Sequence, residues 1–95
     1  MQNQQYTNQD LAKDYYRYRA TLAYDADELR VAGRTKRLIG GAGINIPEFY
    51  ADNGNLKALK IQGIGDTKKR DLELILEKGI DEALRLAIER KGKAL

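Results

Sequence analysis

A chain of 95 residues suffices for one compact domain and is too short for two. Charged residues make up 33% and apolar residues 42%, the balance of a folded globular domain, and no apolar run approaches the length of a membrane span. Lys and Arg outnumber Asp and Glu by 17 to 14, a mild bias toward polyanions, while Cys, His and Ser are absent, which excludes disulfides, thiol, imidazole and serine chemistry and leaves a non-catalytic chain without metal or cofactor as the expectation.

Residues 1–8 are rich in Gln and Asn without apolar periodicity and read as a flexible lead-in. The start Met-Gln-Asn-Gln-Gln lacks the basic and apolar regions of a secretory signal, so a cytoplasmic location is expected. From there Leu11, Tyr15, Tyr18, Leu22, Ala26 and Leu29 recur every three or four residues, and the stripe predicts one long helix over 9–32. Such a stripe packs along the body, against a partner protein or against a second copy. The cluster Tyr15, Tyr16, Arg17, Tyr18 and Arg19 also has the composition of a base-stacking surface, but Tyr15 and Tyr18 share the apolar stripe, which favours packing.

Gly33 interrupts this pattern, and within a single helical domain over 9–95 a core over 33–91 follows in short helices punctuated by glycine. A helix over 34–39 is expected to end in Gly40-Gly41-Ala42-Gly43. Asn45-Ile46-Pro47-Glu48 opens the next, since proline is tolerated in a first turn and an acid favours the positive end of the helix dipole. Asp52-Asn53-Gly54-Asn55 is a turn cluster, and Leu56, Leu59 and Lys60 predict a further short helix toward Ile61.

Ile61-Gln62-Gly63-Ile64-Gly65 then reads as a tight turn between helices, with Ile64 anchoring it in the core and Gly79 closing the helix that carries Leu72, Ile75 and Leu76. A helix starting after Gly65 would turn free backbone N–H groups outward, and Lys68, Lys69 and Arg70 in its first turns would add attraction for a phosphate. Against this, the glycines serve equally to close a structural turn, the cations equally to solvate a helix face, and Asp66 or Thr67 placed as a cap would occupy those same donors. A last helix over 81–91 presents Ile80, Leu84, Ala87 and Ile88 as core cover.

The glycine turn with its flanking apolar positions resembles the helix-hairpin-helix motif, and Leu38-Ile39, Gly41-Ala42-Gly43-Ile44 and Pro47 resemble a second, degenerate copy. The family usually has a small or apolar residue four positions after the second glycine, where this chain has Lys69. The stretch from Asp27 to Leu86 is similar to the C-terminal DNA-binding domain of the bacterial RNA polymerase alpha subunit, on the order of Gly43-Ile44, Leu59-Lys60, Gly65, Glu77-Lys78-Gly79-Ile80 and Leu84-Arg85-Leu86. That resemblance implies an all-α, SAM-like bundle of five or six helices with a tandem hairpin core and an added long N-terminal helix. It implies further that Arg34 matches an arginine inserted into the minor groove, that Arg37 stands where the family has an asparagine, and that Thr67 and Lys68 stand where the family has a lysine and a serine on the DNA backbone.

Charge is distributed accordingly. Over 33–70 there are eight basic and three acidic residues, against four basic and five acidic over 1–32. The expectation is therefore a nucleic-acid-binding domain, for duplex DNA through backbone phosphates with weak sequence dependence. Gly63, Gly65, Thr67, Lys68, Lys69 and Arg70 would serve one hairpin, and Arg34, Lys36 and Arg37 the other. The alternative is a protein-interaction module in which the hairpins are structural and the N-terminal helix binds a partner or dimerises.

Overall fold

A computed structural model describes residues 5–94, and among them the chain forms five helices with no strand: α1 (Asn8–Leu22), α2 (Ala26–Gly40), α3 (Ile46–Asn53), α4 (Asp66–Lys78) and α5 (Ile80–Ala94). Of the lead-in expected over 1–8, residues 1–4 lie outside the described residues. Thr7 already belongs to the fold, because it caps α1 in a reciprocal box with Asp10: each side chain accepts a hydrogen bond from the other residue's backbone N–H. These bonds hold the Asp10 carboxyl below the usual carboxylate range.

The long helix expected over 9–32 is two helices. Ala23 is extended, and Asp25 caps a new helix by accepting from the Glu28 N–H at 2.9 Å while Glu28 reaches back to the Tyr24 N–H at 3.2 Å. The chain reverses there, and α2 returns antiparallel to α1: Gln9 donates to the Gly40 carbonyl at 3.1 Å, and Asn8 donates to the Ile44 carbonyl at 2.8 Å while accepting from the Ile46 N–H at 2.8 Å. Gly33 does not break a helix. It sits within α2, beside the Tyr16 ring, where a Cβ would make only an ordinary contact at 4.0 Å. The helix expected over 34–39 is the second half of α2.

α3 begins as the sequence implies, with the Asn45 side chain accepting from the Glu48 N–H and Pro47 in the first turn, and it ends at Gly54 in the left-handed conformation. The short helix expected toward Ile61 is instead an irregular segment. Leu56 and Leu59 are fully buried in it, joined by one turn hydrogen bond, and the Leu56 N–H is taken by the Glu73 carboxylate at 2.6 Å. With Asn53, Gly54 and Asn55 leading into it, residues that favour turns over helix, no continuous helical ladder forms.

The core lies around α1, whose stripe residues Leu11, Tyr15 and Tyr18 are at most 2% exposed. Burying each such side chain stabilises the fold by about 1.5–3 kcal/mol. Ile39 of α2, Ile46 of α3, Leu72 and Ile75 of α4, and Ala83 and Ala87 of α5 close on this stripe. The polar groups that enter the core are paired. Arg90 of α5 donates to the Tyr18 hydroxyl at 3.1 Å, and Arg19 reaches the Asp71 carboxylate of α4 at 3.3 Å. Burial raises the Asp71 carboxyl above its ordinary value, with the charges of Arg19 and Arg90 working against that rise. Burial likewise pushes the Tyr15 and Tyr18 phenols up.

Candidate functional site

The turn at 61–65 takes the sharp form that its glycines permit. Ile61 and Ile64 face each other across it, Ile64 donating to the Ile61 carbonyl at 3.1 Å, and Gly63 has φ +89°, a conformation that L side chains rarely adopt. Ile64 is 5% exposed, the anchor that the apolar residue between two glycines implies. A Cβ built on Gly63 would stand 2.7 Å from Leu38 Cδ1, so this turn is seated directly on the last part of α2. The helical arm expected before the turn is missing, since 54–60 is irregular; the arm after it, α4, is present.

Gly65, which is extended, stands at the cap position of α4, and no side chain caps the helix. Asp66 is the first helical residue and not the cap, so neither its carboxylate nor the Thr67 hydroxyl accepts from the first-turn amides. Among the described residues the backbone N–H groups of Asp66, Thr67 and Lys68 have no acceptor. A Cβ at Gly65 would enter open space, which leaves an unobstructed approach to these donors. The structure thus presents the positive end of a 13-residue helix without a cap.

The cations around it divide between two sides. Thr67 and Lys68 face a groove shared with the first half of α2, lined also by Asp25, Asp27, Glu28, Asp71 and Arg19, in which Arg19 pairs with Asp71 and Arg30 with Asp27. The Lys68 ammonium is drawn to the Gly63 carbonyl at 3.0 Å. Lys69 and Arg70 face the other side, beside Lys57, Asp66 and Glu73, with the Lys69 ammonium 3.3 Å from the Lys57 carbonyl. Lys69, at the position where the hairpin family favours a small residue, therefore spans the irregular segment instead of packing against a preceding helix.

On α2 the candidate residues separate in the same manner. Leu38 rests on Gly63 and Val31 lines the groove with Thr67 and Lys68, so Arg34, between them on the helix and exposed, lies along the edge of α2 that meets the turn. Arg37, exposed, lines a depression with Lys36 and with Gln9 and Ala12 of α1, away from the turn. Lys36 points to the opposite edge, its ammonium 5.4 Å from the centroid of the Tyr16 ring. Gly63, Gly65 and Arg34 are brought together with one flank of α4, whereas Lys36 is held against α1.

The acid wall of Asp25, Asp27 and Glu28 is not evident from the sequence as a neighbour of the turn, because the apolar spacing runs one helix through it. The signal is present in Asp25 followed three residues later by Glu28, the signature of a helix start. The tyrosine cluster divides too: Tyr15 and Tyr18 are buried and have no face for a nucleic-acid base, and only Tyr16 borders the surface, under Lys36.

Among the described residues no His, Cys, Asp and Glu grouping could hold a metal ion, and no helix is long and apolar enough to cross a membrane. Comparison with known proteins found no matching family model, no matching curated protein and no matching solved structure.

Proposed function

We propose that this chain is a non-catalytic nucleic-acid-binding domain, which engages duplex DNA through backbone phosphates with weak sequence dependence. The observation that carries the reading is the uncapped start of α4, open to solvent at Gly65 and flanked by Lys68, Lys69 and Arg70. A phosphate oxygen seated there would accept from the free amides, gain from the helix dipole and release counterions from the duplex as the cations approach. The contact between Gly63 and Leu38 supports a second point of attachment, since it ties the turn to the edge of α2 that bears Arg34.

Titration of a fluorescent duplex with the full chain, repeated across salt concentrations, tests the reading. Dissociation constants on the order of 10⁻⁴ to 10⁻⁶ M near physiological salt are expected, with affinity falling steeply as salt rises. Gly65→Ala, which meets no neighbouring atom in the fold, should weaken binding several-fold by standing in the approach to the amides. Absence of binding at low salt, or binding indifferent to both salt and Lys69→Glu, overturns the proposal.

A further inference from the structure

The first half of α2 stands apart from the core. Every residue from Tyr24 to Val31 is exposed, and packing begins only at Ala32, Thr35 and Ile39, which are buried. Among the described residues, the side-chain hydrogen bonds and ion pairs of this stretch stay within it: Asp25 and Glu28 close the cap of α2, and Asp27 pairs with Arg30. A segment with so few buried contacts opens at a lower free energy than the packed half of the helix that it leads into.

Both ends of the stretch have the form of a hinge. Gly33 lies at the border between the exposed and the packed half, although neither conformation nor space demands a glycine there: its φ is not positive, and a Cβ would meet only the Tyr16 ring at 4.0 Å. A glycine inside a helix weakens it, so α2 is softest where its packing starts. At the other end Ala23 is extended, and its carbonyl accepts from the Lys91 ammonium of α5 at 2.7 Å. The same ammonium lies 4.9 Å from the centroid of the Tyr24 ring. One side chain of α5 thus fixes the corner from which α2 departs.

Between this stretch and α4 runs the groove of about 340 Å³ that Asp25, Asp27, Glu28 and Val31 line on one side and Thr67 and Lys68 on the other. Opposite charges stand across it without meeting. Among the described residues no ion pair joins α2 to α4, and the Lys68 ammonium rests on the Gly63 carbonyl instead. The pair of Asp27 with Arg30 is exposed and local, so it holds the carboxylate weakly and travels with the segment.

We propose that residues 24–31 form a hinged acidic flap, pivoting at Gly33 and held open by Lys91, whose closure brings Asp27 and Glu28 to Lys68 across the groove. Closure takes Lys68 away from the approach to the uncapped start of α4 and adds negative charge beside it. The flap is therefore an internal competitor of a polyanion at that site. This consequence rests on the nucleic-acid reading, whereas the hinge and the latch do not.

Hydrogen exchange of the ¹⁵N-labelled full chain tests the hinge and the latch without any ligand. Corrected for intrinsic rates, the amides of 29–32 should exchange about tenfold or more faster than those of 36–40. Gly33→Ala should slow exchange over 29–32 about threefold. Lys91→Met, which keeps the apolar stem and loses the ammonium, should speed it about threefold, and Lys93→Met should leave it unchanged. Uniform exchange along α2, or exchange over 29–32 indifferent to both Gly33→Ala and Lys91→Met, overturns the proposal. Titration of a fluorescent duplex then tests closure. Lys91→Met should weaken binding about threefold more than Lys93→Met does, and adding Asp27→Asn with Glu28→Gln should remove that excess. A chain that binds duplex without the excess, or keeps it after the acids are neutralised, overturns closure. A chain that binds no duplex while the exchange results hold overturns the nucleic-acid reading and upholds the hinge.

Discussion

Two glycines two residues apart have different physical jobs. Gly63 is required by conformation, with φ +89° and Leu38 Cδ1 2.7 Å from a built Cβ, whereas Gly65 is extended and its Cβ would meet nothing. Gly63→Ala is therefore expected to destabilise the fold by about 1–3 kcal/mol, read as a lowered urea midpoint with unchanged slope. Gly65→Ala should leave stability within about 0.5 kcal/mol of the parent value. The pairing of Arg19 with Asp71 gives a second residue-level prediction. Burial raises the Asp71 carboxyl and Arg19 opposes the rise, so Arg19→Gln should raise it further. The native state of the variant then binds a proton at pH values where the unfolded chain has released it, and its stability falls as pH rises through that window. At pH 7 the cost should be about 1–3 kcal/mol, less than for a fully enclosed pair because Arg19 is partly exposed. The difference from the parent should shrink as the pH is lowered below the raised Asp71 value. A constant difference at every pH would assign Arg19 a packing role only.

At the scale of the element, what the sequence reveals depends on whether a local signal competes with the periodicity around it. The starts of α3 and α4 and the ends at Gly54 and Gly79 are legible because Asn45, Pro47 and the glycines act on the backbone within a residue or two. The break between α1 and α2 is masked: Leu22, Ala26 and Leu29 keep helical spacing across it, although Ala26 and Leu29 are exposed and only Leu22 enters the core. Asp25, as the cap of α2, decides the matter locally, and Asp25→Ala should cost about 1 kcal/mol of stability by thermal unfolding. The segment before Gly63 keeps helical spacing at Leu56, Leu59 and Lys60 yet is irregular, buries both leucines and is tied to α4 by a contact that the sequence pattern does not encode. Glu73 takes the Leu56 N–H from seventeen residues away. The missing cap on α4 permits a prediction that couples stability to function. Gly65→Ser should supply the absent acceptor, holding or slightly raising the melting temperature, and by occupying the first-turn amides it should weaken duplex binding. A melting temperature that holds while affinity is unchanged would detach those amides from the proposed contact.

Over the whole molecule, the composition shows a surplus of positive charge within 33–70 but cannot say how the fold distributes it. The answer depends on which elements stand beside the glycine turn. Folding α2 back along α1 brings Asp25, Asp27 and Glu28 to the Thr67 and Lys68 side of α4, while Lys57, Lys69 and Arg70 share the other side with Asp66 and Glu73. A polyanion approaching the uncapped amides is repelled more on the first side than on the second. It should therefore lie over Lys57, Lys69 and Arg70. The order of charge-reversal effects tests this placement. Lys69→Glu combined with Arg70→Glu should weaken duplex binding far more than Lys68→Glu, whose ammonium is already drawn to the Gly63 carbonyl. The double variant should also reduce the slope of log affinity against log salt by about 1 for each phosphate that the chain no longer neutralises. Asp27→Lys combined with Glu28→Lys, on the repelling wall, should strengthen binding and steepen that slope, without the need for any new specific contact. If Lys68→Glu proves the most damaging of these changes and the wall substitutions have no effect, the duplex lies across the acidic side, and electrostatics does not choose its path.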